Sequence, residues 1–133
     1  MSLAKTKEIA KIFLEHAFAG RMDEAIAMLT DDLRWWVIGD PAYLRVAGEK
    51  NREQGEKLLR GLSRGLPGGM RVAIHGMTAE DDRVAVEAEG WGSWRNGRPY
   101  HNRYHFLLRI RGCKVCEIHE YMDTLHVYQT VGG

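Results

Sequence analysis

The sequence predicts an α+β fold in which helices pack on one face of a curved antiparallel sheet. Two observations predict this class. Apolar residues recur at helical spacing in the first half of the chain, whereas four runs in the second half alternate with the period of a β-strand. Helices followed by a strand meander are typical of α+β domains. With 133 residues, 44% of them hydrophobic, we expect residues 1–133 to form one domain.

Two helices and one strand are predicted at the start of the chain. From about Leu3 to Ala19 the apolar residues recur at helical spacing, and Gly20 supplies a stop. A shorter amphipathic helix follows in MDEAIAML, residues 22–29. The polar TDD then precedes an aromatic strand, LRWWVIG at 33–39.

A third helix and four strands complete the predicted order. Turn residues occupy 39–48, and a leucine stripe predicts a helix within 49–66 that ends at PGG. The four strand-like runs are 70–80, 83–94, 100–111 and 114–124. Turn chemistry at DD, NG and RGC makes them consecutive antiparallel strands.

The pairing of these strands predicts which side chains face the helices. If Asn96-Gly97 is a two-residue turn, odd positions of one strand share a face with even positions of the next. The even positions of 100–111 are the more aromatic and apolar, so they should face inward. The side chains predicted on this inner face include Glu87, Glu89, Asn102, Tyr104, Phe106, His119, Tyr121 and Asp123. So many polar groups indicate a lined cavity rather than a dry core.

Composition excludes several classes of function. A net charge of +1 gives no general attraction to nucleic acid or to anionic membranes. The sequence opens with no signal-peptide pattern and has no apolar run of membrane-spanning length, which predicts a cytoplasmic protein.

The cysteines and histidines do not follow a metal or redox pattern. Cys113 and Cys116 lie in a strand-turn-strand context, where a redox pair normally opens a helix. His16, His105 and His119 form no H-x-H or H-x-x-x-H motif. No glycine-rich phosphate loop or nucleophile elbow occurs. We therefore expect no metal and no cofactor.

Three stretches resemble one family. The element order, DDLRWWVIG with a Gly-terminated loop after it, NGRPYHNRYHF and above all EYMDT are similar to the SnoaL-like branch of the NTF2-like superfamily. These cone-shaped α+β barrels include ketosteroid isomerases, limonene-epoxide hydrolases, scytalone dehydratases and polyketide cyclases. The chain departs from the pattern at the last hairpin, which reads Gly112-Cys113. It also lacks the Arg-x-Asp of the epoxide hydrolases, because the third of the four strands reads Asn102-Arg103-Tyr104.

The resemblance implies a catalytic carboxylate near the end of the last strand, and Asp123 matches it. Tyr104 and Tyr121 are candidate donors to a developing enolate oxygen. Asn102 is a candidate for positioning a carbonyl or a water, or for holding Asp123. The alternative for Asp123 is a cap on the terminal TLHVYQ segment.

The sequence thus predicts a cofactor-free enzyme of the isomerase, cyclase or dehydratase type that acts on an apolar, carbonyl-bearing small molecule. The alternative is a ligand-binding or assembly module without turnover. The candidate substrate-binding residues are Trp35, Trp36, Tyr43, Glu87, Glu89, Phe106, His119 and His16. Trp35 and Trp36 should point to opposite sides of their strand. An apolar outer sheet face with Cys116, Ile118 and Met122 beside Leu107 predicts a homodimer.

Overall fold

A six-stranded sheet wrapped around a long N-terminal helix organises the molecule. The computed structural model describes residues 1–131, and this part of the chain contains four helices and six strands. The helices are α1 (Leu3–Ala19), α2 (Met22–Ala27), α3 (Arg52–Gly65) and α4 (Thr124–Val131). The strands are β1 (Leu29–Val37), β2 (Gly48–Lys50), β3 (Met70–Glu80), β4 (Arg83–Ser93), β5 (Pro99–Arg111) and β6 (Lys114–Met122).

The strand order in the sheet is β2-β1-β6-β5-β4-β3. β1 runs parallel to β6, and the other neighbours are antiparallel. The predicted α+β class is confirmed, and α1 and β3 have the predicted bounds. The short β2 and the terminal α4 are additions to the predicted order. β1 begins at Leu29, earlier than expected, because the polar TDD segment is part of the strand.

Helix α1 packs closely against the sheet because Gly90 of β4 has no side chain. Ser2 caps its first turn, and Gly20 ends it with a φ of 85°. A Cβ at Gly90 of β4 would lie 2.7 Å from the ring of Phe18, so only glycine lets the helix approach this closely. Phe18 in turn meets the ring of Tyr104 edge-on, with centroids 5.2 Å apart.

Helix α3 covers the other end of the same sheet face. A capping box joins Asn51 and Gln54 at its start, so the first amides are satisfied. Gly55 lets the helix lie against Trp35, since an added Cβ would be 3.3 Å from the indole. Together α1 and α3 cover the inner face of the sheet but leave a space between them.

The β4–β5 hairpin corrects the predicted pairing. Trp94 N donates to Arg98 O at 2.9 Å, and Gly97 N donates to Trp94 O at 2.8 Å. The loop therefore has three residues, 95–97, with Gly97 at a φ of 86°. The two-residue turn was wrong, and odd positions of β4 lie beside odd positions of β5. The even positions of β5 face inward, as predicted.

The β5–β6 hairpin contains a second change of register. The turn predicted at RGC consists of two residues, Gly112 and Cys113, because Arg111 pairs with Lys114. A bulge follows, with Ile110 opposite Val115 but Arg109 opposite Glu117, which leaves Cys116 as the extra residue. Beyond the bulge the predicted faces of β6 are exchanged. Within residues 1–131, no helix combines the length and apolar character needed to cross a bilayer.

Candidate active site

The space between the sheet and helices α1, α3 and α4 is a cavity of about 890 Å³. Such a volume accommodates a drug-sized ligand. Its apolar walls include Phe13, Leu14, Phe18, Trp35, Leu58, Leu59, Leu62, Phe106, Ile118, Met122, Val127 and Val131. Its polar and charged lining consists chiefly of Arg45, Lys50, Gln54, Lys57, Arg95, Asn96, Tyr100, Tyr104 and Glu120.

Glu120 is the one acidic side chain among these lining residues of the described chain. The even positions of β6 face inward after the bulge, which brings Glu120 opposite Phe106 of β5. Trp35 Nε1 donates to Glu120 Oε1 at 3.1 Å. Burial raises the pKa of the Glu120 carboxyl to about 7, while the Trp35 hydrogen bond and the Lys50 charge oppose the rise.

Two tyrosines lie on the same wall as Glu120. Tyr100 Oη and Tyr104 Oη are 2.6 Å apart, and Asn102 Nδ2 donates to Tyr100 Oη at 2.9 Å. Burial raises the pKa of Tyr100 to about 12 and that of Tyr104 well above its usual value. Both phenols therefore keep their protons at neutral pH and remain donors.

Lys50 is the charged neighbour of Glu120. It belongs to β2 at the edge of the sheet, and its ammonium group donates to the carbonyl oxygens of Val46 and Gly48. Burial lowers the pKa of Lys50, while the charges of Glu120 and Glu49 raise it. Within residues 1–131, no group of three His, Cys, Asp or Glu side chains is placed to hold a metal ion.

Helix α4 closes one end of the cavity. Its buried Val127 and its partly exposed Val131 line this end of the cavity. Trp94 Nε1 donates to Thr130 Oγ1 at 2.9 Å, and Asn96 Nδ2 donates to Thr130 O at 3.0 Å. The tip of the β4–β5 hairpin thus holds the terminal helix in place.

The predicted position of Asp123 in the cavity is wrong. Asp123 is exposed and caps α4, since His126 N donates to its Oδ1 at 3.2 Å. Asn102 holds its backbone on both sides, accepting from Asp123 N at 3.0 Å and donating to Asp123 O at 3.1 Å. Two alternatives that the sequence left open are observed: Asp123 caps the terminal helix, and Asn102 holds Asp123.

Tyr121, His119 and Trp36 also lie outside the cavity, which corrects their predicted placement. The bulge in β6 turns Tyr121 and His119 to the outer face of the sheet. Trp36 meets both rings edge-on, with centroids 5.4 Å from Tyr121 and 5.9 Å from His119. Trp35 is the indole that faces inward, 4% exposed.

Glu87 and Glu89 face outward because the β4–β5 loop is one residue longer than predicted. Glu87 is exposed. Glu89 is buried within a cluster on the outer face, where it contacts His75 Nε2 at 2.8 Å, the ring of His101, and Arg103 at 3.5 Å. The hydrogen bonds from His101 and then His75 hold the pKa of Glu89 below its usual value.

Two further candidates are also away from the cavity. Tyr43 is 72% exposed in the loop after β1. His16 lies near the end of α1, where its Nδ1 accepts from Arg21 Nε at 2.8 Å. Trp35, Tyr104 and Phe106 do line the cavity.

Sequence reasoning missed Glu120 and Lys50. The signal for Glu120 was its alternation with Ile118 and Met122, two apolar residues that mark an inward face of β6. Nothing local in the sequence marks Lys50, which reaches the cavity through the pairing of β2 with β1.

The fold and the cavity together define an NTF2-like cone. A structure of an NTF2-like protein of unknown function from Burkholderia pseudomallei is similar, with 16% identity over 100% of both chains and a TM-score of 0.82. A protein from Jannaschia sp. CCS1 assigned as a SnoaL-like polyketide cyclase shares 17% identity over 98% of this chain and 93% of its own, with a TM-score of 0.78. An LEH-like epoxide hydrolase of M. tuberculosis shares 16% identity over 97% of this chain and 90% of its own, with a TM-score of 0.77.

The family model of the SnoaL-like domain matches residues 10–118. The chain therefore belongs to the SnoaL-like domain family, as its sequence resemblance indicated. No curated protein sequence matches the chain significantly. At these identities the solved structures establish the fold alone.

Proposed function

We propose that the protein is a cofactor-free enzyme that moves a proton on an apolar, carbonyl-bearing small molecule, with Glu120 as the general acid and base. One observation carries this proposal. Glu120 is the acidic group of an apolar cavity, and its pKa is raised to about 7. A proton-transfer group works best when its pKa lies near the working pH.

Tyr104 supports the same chemistry from the neighbouring strand. It pairs with Met122, two residues from Glu120, so the two side chains are diagonal neighbours on one face, roughly 7 Å apart at Cα. The Tyr100 and Tyr104 hydroxyls share one hydrogen bond in which either oxygen can be the donor. When a substrate oxygen accepts from Tyr104, Tyr100 donates to Tyr104 Oη, and Asn102 continues to donate to Tyr100 Oη.

The proposed step follows from these two groups. The Glu120 carboxylate removes a proton from the carbon beside a carbonyl, and Tyr104 donates to the enolate oxygen that develops. Glu120 then returns the proton to another carbon, which gives isomerisation. If the enolate instead attacks a second carbonyl, the protonated Glu120 gives its proton to the new alkoxide and the result is cyclisation. If a β-hydroxyl leaves, it takes the same proton from Glu120 and departs as water, which gives dehydration.

Epoxide opening is less well supported. The sequence lacks the Arg-x-Asp pattern of that class, and Arg103 lies on the outer face beside Glu89. An arginine there cannot reach a ligand in the cavity.

Exchange of carbonyl α-protons tests the proposal without the natural substrate. A panel of cyclic ketones and enones is incubated in D₂O, and deuterium uptake is followed by mass spectrometry. We expect catalysed exchange by the wild type and a loss of at least ~100-fold in Glu120→Gln. Asp123→Asn, an isosteric change on the exposed helix cap, should stay close to the wild type. If Asp123→Asn loses exchange and Glu120→Gln keeps it, the assignment of Glu120 is wrong.

A second candidate is a ligand-binding module without turnover. The predominantly apolar lining of the 890 Å³ cavity favours it, since such a surface binds ligands whether or not it performs chemistry. Quenching of Trp35 fluorescence by a ligand, with no exchange above background for any ketone of the panel, would select this candidate.

The homodimer and the cytoplasmic location remain predictions. The basis of the dimer changes, because Ile118 and Met122 face inward and Cys116 lies in the bulge. The outer face instead presents Trp36 and Tyr121. A monomeric mass in sedimentation at micromolar concentration would remove the dimer.

A further inference from the structure

The charges around the cavity are unevenly distributed. The whole chain carries a net charge of only +1. Its cavity is lined by four cationic side chains, Arg45, Lys50, Lys57 and Arg95, against the single acidic Glu120. The pKa of Glu120 of about 7 leaves this acid partly neutral at physiological pH. The cavity is therefore much more positive than the protein as a whole.

Three of the cations mark the opening of the cavity. Arg45, Lys57 and Arg95 line the cavity and are also exposed to solvent, so they lie where the cavity meets the surface. They come from the loop after β1, from α3 and from the β4–β5 loop. We call these three residues the basic rim. Lys50 is half-buried, and its ammonium group is already bound to two backbone carbonyls.

The rim is weakly neutralised by the protein. Lys57 pairs with Glu53 at 3.6 Å, but both side chains are more than three-quarters exposed, and such a pair contributes little. Among the ion pairs within residues 1–131, none involves Arg45 or Arg95.

The position of the rim is also held by the fold. Arg95 N donates to the carbonyl of Gly65 at 2.7 Å, which fastens the hairpin tip to the end of α3. The backbone that carries Arg95 is therefore fixed against the helix that carries Lys57.

We propose that the ligand of this cavity is an apolar small molecule with one acidic group, such as a carboxylate or an acidic enol. This inference rests on the proposed function, because it names the substrate class of the same site. The apolar part fills the interior, and the acidic group lies among the rim cations. Arginine guanidinium groups match the geometry of a carboxylate and bind it in pairs of hydrogen bonds.

The positions of the basic rim and of Glu120 also predict how the ligand is oriented in the cavity. A negative group deep in the cavity would lie beside Glu120 and hinder its ionisation. An acidic group held at the rim keeps the two negative charges apart, so the carbonyl end of the ligand reaches Glu120 and Tyr104.

Two dyes with the same aromatic skeleton test this inference. 1-Anilinonaphthalene-8-sulfonate carries an anionic group, and N-phenyl-1-naphthylamine is the neutral counterpart without it. We expect the wild type to bind the anionic dye about tenfold more tightly or better at low salt, with the advantage shrinking at high salt. Equal affinity for the two dyes at low salt would overturn the inference.

Two triple variants locate the effect. The rim variant Arg45→Gln, Lys57→Gln, Arg95→Gln should lose the preference for the anionic dye and keep its affinity for the neutral one. The control Lys11→Gln, Arg83→Gln, Lys114→Gln removes the same charge from exposed sites outside the cavity lining and should keep the preference. An equal loss in both variants, or no loss in the rim variant, contradicts the proposal. Circular dichroism checks that both variants are folded.

The Glu120→Gln variant separates this inference from the proposed function. It should keep the dye preference while losing proton exchange. A wild type that prefers the anionic dye but exchanges no ketone would refute the enzyme and support the ligand class. A wild type that exchanges ketones but binds both dyes equally would support the enzyme and refute the ligand class.

Discussion

Two carboxylates on opposite faces of the same sheet have opposite properties. Glu89 on the outer face is 7% exposed, and its pKa is lowered. Glu120 on the inner face lines an open cavity, and its pKa is raised to about 7. The exposed area of a carboxylate therefore does not predict whether its pKa is raised or lowered.

The difference comes from the partners of each carboxylate. Glu89 is hydrogen-bonded to His101 and His75, and the Arg103 guanidinium lies 3.5 Å away, so that all three neighbours favour the charged form. Within residues 1–131, Glu120 accepts a hydrogen bond from one group, the indole of Trp35, and it lies in a mostly apolar wall. Several donors and a nearby cation keep the pKa of a carboxyl low, whereas a single donor in an apolar cavity does not offset the effect of burial, which raises the pKa.

The largest expected effect is on the pH dependence of stability. Glu120 has a folded pKa of about 7 against 4.5 for an ordinary glutamate, so the folded state takes up a proton between these pH values. Its contribution to the free energy of unfolding is greatest below 4.5 and falls as pH rises through 7, by up to ~3 kcal/mol. Glu120→Gln should remove this fall, measured by urea unfolding at pH 5 and pH 8.

The exposed Glu87→Gln is the matched control, and it should follow the wild type at both pH values. If Glu120→Gln loses as much stability between pH 5 and pH 8 as the wild type, Glu120 is not the group that titrates.

The second expected effect tests the single donor to Glu120. Trp35→Phe removes the hydrogen bond that favours the charged carboxylate, so the pKa of Glu120 should rise above about 7 by roughly one unit. Carboxyl NMR of the labelled protein measures it. Trp36→Phe, the neighbouring change on the outer face, should leave it unmoved. An unchanged pKa in Trp35→Phe would contradict the role of the indole.

A third, smaller effect concerns the loop that sends Glu89 outward. Gly97 has a φ of 86° with nothing within 4 Å of an added Cβ, so Gly97→Ala costs conformational strain only. We expect a loss of about 1 kcal/mol in urea unfolding. Gly68→Ala, equally uncrowded but without a positive φ, should show no loss. Equal stability of the two variants would mean that the loop does not depend on Gly97.

The smallest effect is expected for Glu89 itself. Its folded pKa is lowered, so its contribution to stability is present above the pKa of the unfolded chain and is lost as pH falls through the folded pKa. Glu89→Gln should lower the Tm at pH 7 by a few degrees and flatten the loss of stability below pH ~4.5. If the stability of Glu89→Gln falls below pH ~4.5 as steeply as that of the wild type, the contacts with His75 and His101 do not stabilise the Glu89 carboxylate.

Much of the fold could be predicted because its signals are local. The bounds of α1 follow from its apolar spacing and Gly20, and the inward face of β5 follows from its own composition. Tyr104 and Phe106 were therefore predicted on the inner face, where the structure has them, whereas the sequence left open which of Trp35 and Trp36 faces inward. These inferences depend on no contact with a distant part of the chain.

The errors in the site came from register, which is not local. Asn96-Gly97 is compatible with a two-residue or a three-residue loop, and the choice decides where Glu87 and Glu89 point. The bulge at Cys116 has no clear sequence signature, yet it exchanges Tyr121 for Glu120 in the cavity. One residue more than predicted in the β4–β5 loop reversed the faces of β4, and the one bulge residue of β6 reversed the faces of that strand beyond it.

The bulge at Cys116 also has an evolutionary consequence. If β6 paired regularly past this point, with Cys116 instead of Glu117 opposite Arg109, the rest of the strand would be turned over, so that His119 and Tyr121 would replace Ile118 and Glu120 inside the cavity without any substitution among them. A different set of reactive groups would then face the ligand. In a cone built this way, the gain or loss of one bulge in a hairpin changes the chemistry of the cavity while the exchanged residues themselves stay the same.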